Sequence, residues 1–451
     1  MVKRKTNYVC QNCGTTFSKW SGKCENCGEW NTLVEQIIAV EEAGKNALAQ
    51  GKLSGKKLES VSIDDITPSD ASARFSSGFK DLDKVLGGGF LRGSVSLLTG
   101  QPGMGKSTLL MQICTTISKD LPVLYISGEE SASQVKLRAK RLGASSPNLS
   151  FANSTSGNDI AKTIESGDFK FVVVDSIQTL SLAELTSAPG NVSQVTNCGN
   201  LIIRAAKASD TAVVIVGHVT KDGTLAGPKV LEHLVDVVIN FEGDRYGGFK
   251  TVRAVKNRFG STMEVAIFEM AEKGLSEVKD PSATLLAERQ NTDGSVILAT
   301  VEGNRPLLVE IQALATTTTF GYPKRACSGY DINRLNLLIA VLERRTKLKL
   351  SDKDIYINVV GGIKVQDSAA DLAVCMAIAS AVAKRKLSEK YVVFGEVGLG
   401  GEIRSAFRPD QRIAEAKKLG FTHAIAPATI KDPFVYPVKD LRDSLIKYMN
   451  H

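Results

Sequence analysis

The chain has 451 residues, 43% hydrophobic and 23% charged, which excludes a disordered or fibrous chain and leaves room for two or three domains with cores of their own. Its longest apolar run, Leu372 to Ala383, falls short of the roughly 20 residues that cross a bilayer, and residues 1–30 hold no apolar stretch of signal-peptide length, so no membrane association is expected and the cytoplasm is the expected location. A net charge of +8 admits an anionic partner without demanding one.

In chain order, a cysteine module comes first, over residues 1–34. Cys10 and Cys13, then Cys24 and Cys27, form two Cys-x-x-Cys pairs, and Gly14 and Gly28 follow the second cysteine of each. Two thiolates separated by two residues grip one side of a tetrahedral ion, and the glycine lets the backbone turn beneath the sulfurs. So short a segment cannot bury a stabilising core, so zinc on the four thiolates would supply most of its folding free energy. The competing readings are two redox dithiols or a disulfide framework; the matched glycines and the lack of a thioredoxin-like βαβ context favour zinc. Lys19, Trp20 and Lys23 are open to three readings: nucleic-acid contact, partner contact or plain surface. Cys114, Cys198, Cys327 and Cys375 read as small buried hydrophobes. Residues 35–60, rich in Lys, Gly, Ala and Ser, read as a flexible linker.

From residue 61 to 278, β-branched runs alternate with helical patterns. "VSLLT", "VLYIS", "FVVVDS" and "AVVIVGH" suit strands buried on both faces, hence an α/β unit with a mostly parallel sheet. The loop Gly100-Gln101-Pro102-Gly103-Met104-Gly105-Lys106-Ser107-Thr108 fits G-x-x-x-x-G-K-[ST] and lies between an apolar strand and an amphipathic helix, the context that motif requires. Converging amides and the helix N-terminus would hold the phosphates of ATP. Lys106 would reach the β- and γ-phosphates, and Ser107 would bind Mg²⁺, with Thr108 beside it. Asp175, ending "FVVVD", is placed to complete the Mg²⁺ shell. Glu129 and Glu130 end "VLYISGEE" at the same sheet edge; one would orient the attacking water, while the bland alternative has both capping the helix near Ser131. Glu129 is the expected catalytic residue and Glu130 the structural one. His218 ends another strand there, either as a γ-phosphate sensor or as a hydrogen-bonded structural residue.

The run "SSGFKDLDKVLGGGFLRGSVSLLTGQPGMGKST" resembles the start of the RecA-superfamily core, and "LYISGEES", "VDSIQTL", "GHVTKDGTLAGPKVLEHLVD" and "VKNRFG" are similar to the bacterial RadA (Sms) family over practically the whole chain. The resemblance implies a RecA-like P-loop ATPase core behind a four-cysteine zinc module. It implies a DNA-dependent ATPase, a homohexameric ring that binds single-stranded DNA and promotes branch migration of recombination intermediates, working beside a RecA-type recombinase. It places Glu129 at the RecA-type catalytic glutamate. It also places DNA-contacting loops at 186–200, which is polar and broken by Pro and Gly, and at 218–230, which carries Lys221 and Lys229.

Residues 279–451, set off by a linker-like Asp280-Pro281, mix alternating strands with two strong helices. "DIYINVVGGIKVQDSAADLAVCMAIASAVA" and its flanks resemble the Lon-protease catalytic domain, an α+β fold. The Lon serine position falls on Ala369, with Ser368 one place early and expected to point elsewhere, since one helical residue turns a side chain by about 100°. No lysine lies between Glu396 and Ala416 to activate a serine. A proteolytically inactive domain is expected, ahead of an ATP-dependent peptidase using Ser368 or a KaiC-like signalling ring without DNA. Arg404, Arg408 and Arg412 recur every four residues as a candidate basic strip.

"TVRAVKNRFGSTMEVAIFEM" reads as two strands joined by a tight turn at Phe259 and Gly260. Residues two apart on a strand share a face, so Lys256 and Arg258 would point together, away from Asn257. In a ring they would reach the γ-phosphate bound by the neighbouring subunit, which makes both catalytic candidates.

Overall fold

The structure, a computed structural model, describes residues 3–10, 15–30, 32–40, 62, 74–218, 230–243, 248–318 and 321–449; Cys13, Lys221 and Lys229 lie outside them. The chain divides into two units, the first comprising residues 1–241, 253–262 and 272–275, the second residues 242–252, 263–271 and 276–451. The division cuts through the strand Lys250–Asn257 rather than falling at residue 279.

At the N-terminus, Lys3–Cys10 pairs antiparallel with Thr16–Phe17 on one side and Leu33–Val40 on the other. The run "LVEQIIAV" is rich in β-branched residues, and its pairing with Lys3–Cys10 carries ordered strand six residues into the stretch read as linker. Cys10, Cys24 and Leu33 form the small core, with Tyr8, Phe17 and Cys27 against it.

Six parallel strands organise the first unit, in the spatial order Val237–Gly243, Val95–Gly100, Ala212–His218, Phe171–Asp175, Val123–Ser127, Leu149–Asn153. Every residue of Val95–Gly100, Phe171–Asp175 and Val123–Ser127 is buried, as unbroken apolar runs between covering helices require. The helices Lys106–Ile117, Ala132–Arg141, Gly157–Glu165 and Val192–Ser209 intervene along the chain. The last of these corrects the loop expected at 186–200. Asn191 caps it by accepting from the Ser193 amide at 3.1 Å, and buried Gln194 fastens the preceding segment by accepting from Leu182 N and donating to Ser187 O, each at 2.8 Å. The polar letters were capping chemistry.

The strand Lys250–Asn257 is followed by residues 258–264 before the strand Val265–Ala271 begins, so the connection is a longer loop than the tight turn expected. That loop meets the Gly87-Gly88-Gly89 run backbone to backbone. A Cβ on Gly87 would lie 2.8 Å from the Phe259 carbonyl oxygen, and one on Gly260 would lie 2.8 Å from Gly87 Cα. Arg74 bridges the two stretches, donating to the carbonyls of Gly89 and Phe259 at 3.3 Å each.

The second unit is built on a seven-stranded sheet in the order Arg325–Ser328, Lys353–Val359, Arg305–Thr317, Ser295–Glu302, Tyr391–Val393, His423–Pro427, Val435–Val438. The helix Ala370–Ala383 lies in its core and is buried continuously from Ala370 to Ala381; a helix apolar on all sides has no solvent face to offer. Asp280 and Pro281 are the N-cap and first residue of the helix Pro281–Leu286, with Asp280 Oδ1 accepting from Ala283 N at 3.0 Å, so the supposed linker is a helix start. The arginine strip does not form. Arg404 ends a short strand, Arg408 is a left-handed N-cap, and Arg412 is 1% exposed, paired with Asp367 at 2.6 Å. Among the described residues no helix is long and apolar enough to cross a membrane.

Candidate active site

Parallel strands present their carboxyl ends together, and the crevice there is where an open α/β sheet holds a ligand. Register aligns the row: His218 stands opposite Gly100, and Ser127 opposite Asp175. One sheet edge therefore carries the P-loop, His218, Asp175 and, just past Ser127, Glu129 and Glu130.

The P-loop has the conformations its glycines permit. Gly103 and Gly105 lie at φ 79 and 107, and Gly100 at φ 157 packs so closely that a Cβ would meet the Phe241 carbonyl at 2.5 Å. A Cβ on Gly103 would meet nothing within 4 Å, so the loop's outer side is open to a ligand. Lys106 curls back over it, donating to the carbonyls of Gly100 at 2.7 Å and Gln101 at 3.0 Å. Burial pushes its ammonium down to about 8, opposed by the carboxylates of Asp175 and Glu129. Phosphates would restore the missing negative charge. Nucleotide binding near pH 8 is therefore expected to take up roughly half a proton, fading towards pH 7, where the lysine is already charged. Calorimetry in buffers of different ionisation enthalpy reads this directly. The same shift means that Lys106 disfavours the empty fold at low pH, its contribution improving as pH rises from about 8 towards the ordinary lysine range.

Ser107 Oγ donates to Asp175 Oδ2 at 2.8 Å, so the two residues expected to hold Mg²⁺ are together. The same oxygen accepts from Tyr125 at 2.6 Å. Tyr125 was missed in the sequence; the signal was one phenol in an otherwise apolar buried strand. A carboxylate beside a P-loop hydroxyl is the hard oxygen donor set Mg²⁺ prefers.

Glu129 and Glu130 have different partners. Glu130 pairs with Arg138, and Ser131 and Gln134 form the capping box of the next helix, so neither carboxylate is the cap. Glu129 Oε1 accepts from Ser176 Oγ at 2.5 Å and lies 3.2 Å from His218 Nε2. The hydrogen bond from His218 holds its carboxyl down to about 2, with Ser176 and the Lys106 charge adding to the effect. Gly128 gives the chain room to turn here, since a Cβ would sit 2.2 Å from Thr179 Oγ1. His218 also approaches Lys106 Nζ at 3.2 Å through Nδ1. This imidazole thus lies between the P-loop lysine and the carboxylate.

Lys256 and Arg258 do share a direction. Lys256 Nζ donates to the carbonyls of Glu232, His233 and Val235 at 2.8, 3.0 and 2.7 Å, and Arg258 pairs with the buried Asp236 at 3.2 Å. Asn257 faces the other way, donating to Val85 O at 3.1 Å. Asp236 also binds Lys207 at 3.3 Å and accepts from Val95 N at 3.1 Å, a hub that sequence reading missed because a lone aspartate after a helix gives no signal.

In the N-terminal module, the sulfurs of Cys10, Cys24 and Cys27 lie within 4.8 Å of one another with no disulfide; Cys13 is outside the described residues. Three clustered thiols, two of them fully buried, are a donor set for a thiophilic ion and fit zinc. Cys24→Ser is expected to lose bound zinc and unfold this module, read by metal content and by proteolysis at residues 1–40.

In the second unit, Ser368 precedes the buried helix and its Oγ donates to Glu396 Oε2 at 3.1 Å, while Ala369 is fully buried. The hydroxyl thus faces a carboxylate rather than an activating lysine.

Three family models match the chain: an AAA domain over residues 65–224, a rubredoxin metal binding domain over 8–35, and subunit ChlI of Mg-chelatase over 318–430. They fall respectively on the P-loop sheet, on the thiol cluster and within the second unit. The DNA repair protein RadA of Haemophilus influenzae is 44% identical, covering 98% of each chain. That of Bacillus subtilis is 46% identical over 97% of this chain and 95% of its own, and that of Aquifex aeolicus 43% over 99% of each. Matches that cover nearly the whole chain take in the thiol cluster, the nucleotide crevice and the second unit, and the chain belongs to the DNA repair protein RadA family.

Proposed function

We propose that this chain is an ATP-hydrolysing motor that assembles as a hexameric ring, binds single-stranded DNA and drives branch migration of recombination intermediates alongside a RecA-type recombinase. The observation that carries the reading is the crevice row: Lys106 for the phosphates, Glu129 for the attacking water, and His218 joining the two. Ser107 and Asp175 would hold Mg²⁺, which when bound neutralises developing phosphate charge. Glu129 stays ionised and accepts a hydrogen bond from water, aiming it at the γ-phosphate; a carboxylate held so low orients the nucleophile better than it removes its proton. DNA would be gripped by the segment 218–230 and by the turn preceding Asn191.

Lys256 and Arg258 would act on the neighbour's nucleotide. Their present partners, Glu232 to Asp236, directly follow the segment 218–230 in sequence, so cations drawn away to a γ-phosphate would release the base of that segment. Hydrolysis in one subunit would thereby move DNA held by the next. Lys256→Ala and Arg258→Ala should each bind nucleotide and single-stranded DNA normally yet lose DNA-stimulated turnover and branch migration by about a hundredfold. Phosphate release and a three-strand branch-migration assay check this; wild-type migration in either variant would remove the trans role. The Ser368–Glu396 contact supports a second unit without peptidase activity, which organises the ring.

A further inference from the structure

The N-terminal module exposes two indoles that its core does not use. Trp20 is 59% and Trp30 68% exposed, whereas the core is made by Cys10, Cys24 and Leu33 with Tyr8, Phe17 and Cys27. Large rings left in water by so small a module are informative, because apolar area is what it lacks. Both rings lie close to Gly22. A Cβ there would lie 3.8 Å from Trp30 Cζ3 and 3.9 Å from Trp20 Cη2, so the two indoles converge on one point of the turn. Trp30 is fixed by its bridge to Lys23, closing a turn in which Cys24 N donates to Glu29 O at 2.8 Å. Lys23 Nζ sits 5.7 Å from the Trp30 ring centroid. Among the described residues neither Lys19 nor Lys23 forms an ion pair; Glu25 and Glu29 are exposed on the same turn and bind neither.

We infer that Trp20 and Trp30 form a stacking platform for unpaired bases of single-stranded DNA, with Lys19 and Lys23 meeting the adjoining phosphates. A nucleotide offers a flat π face and an anion together, matching an indole with an ammonium near it, and stacking of this kind tolerates any base. The inference rests on the single-stranded DNA reading above but concerns a surface separate from the ATP crevice.

Trp20 and Trp30 are the only tryptophans of the chain, so emission excited at the red edge, where tyrosine does not absorb, reports on this turn alone. The full zinc-loaded chain is titrated with oligo(dT) and with an abasic strand of equal length, while the anisotropy of a dye on each strand follows total binding. Oligo(dT) is expected to quench the emission and the abasic strand to leave it unchanged. Trp20→Ala with Trp30→Ala should weaken oligo(dT) binding about tenfold, with zinc content kept, and phenylalanine at both positions should restore most of it. Unchanged emission at saturating oligo(dT) overturns the platform and leaves the DNA reading standing. Absent anisotropy change with either strand overturns both. Emission that shifts with protein concentration in DNA-free solution assigns the rings to a second copy of the chain and also overturns the platform. Were the alanine pair to lose zinc, the contrast between the two strands on the unaltered chain would still decide.

Discussion

Glu129→Gln is expected to retain nucleotide and lose hydrolysis, with turnover falling about 10²- to 10⁴-fold. The amide keeps the size of the side chain but replaces a full negative charge with a dipole, so a water held there is neither aimed nor polarised as before. Binding should survive because the phosphates would be met by the P-loop amides and Lys106, whereas the Glu129 carboxylate hydrogen-bonds to Ser176 and His218. Affinity for a fluorescent ATP analogue, measured beside steady-state phosphate release, separates the two effects. Glu130→Gln is the control. That carboxylate is committed to Arg138, so its loss should cost little turnover. Equal losses in both variants would mean that the crevice needs the acidic pair and not Glu129 in particular. The depressed value of Glu129 has a pH signature as well. Its stabilising contribution is complete above the ordinary glutamate range and is lost only as pH falls towards about 2, so an acid limb of turnover near pH 5 belongs to some other group.

Arg412→Ala should be the most destabilising single change in the second unit, by about 3–5 kcal/mol. Arg412 is 1% exposed; it pairs with Asp367 at 2.6 Å and donates to the carbonyls of Ala299 at 2.7 Å and Phe407 at 3.0 Å. Truncation would strand the Asp367 carboxylate, which also accepts from Thr300 Oγ1 at 2.9 Å and from Ala369 N at 3.0 Å. The cost comes mainly from that uncompensated charge. Combining Arg412→Met with Asp367→Asn is accordingly expected to recover more than half of the loss. Because the chain holds two units, urea unfolding should be followed by proteolysis sites within 279–449 rather than by one global signal. Nucleotide affinity should not change. A variant as stable as the parent would show that water already screens the pair.

What was legible in the sequence followed from how redundantly it was written. "VLYIS" and "AVVIVGH" match their strands residue for residue because a strand buried on both faces has no use for polar letters. The P-loop needed both its glycines and its strand-to-helix setting, and both were present. Glu129 was set apart from Glu130 by its place in the RecA-type resemblance, and the structure commits Glu130 to Arg138. Other features were illegible for physical reasons. Asn191 and Gln194 look like loop residues, yet one caps a helix and the other satisfies a turn, functions that depend on geometry rather than polarity. Arg412 is charged and therefore read as surface, and only the structure supplies the buried aspartate that permits it inside. A spacing of four suggested a helical strip, but Arg404 and Arg408 precede the helix in which that spacing would count.

The contact between Gly87 and the 258–264 loop has a hereditary side. Each backbone occupies the space where the other's side chain would have grown, so neither glycine can be replaced while the other stays in place. Insertion of a single methyl at Gly87 would wedge Phe259 outward and swing Lys256 off its carbonyls and Arg258 off the Asp236 carboxylate. Two stretches far apart in the gene are therefore bound to one fate, and drift at either is checked by a partner that a linear reading of the chain never places beside it.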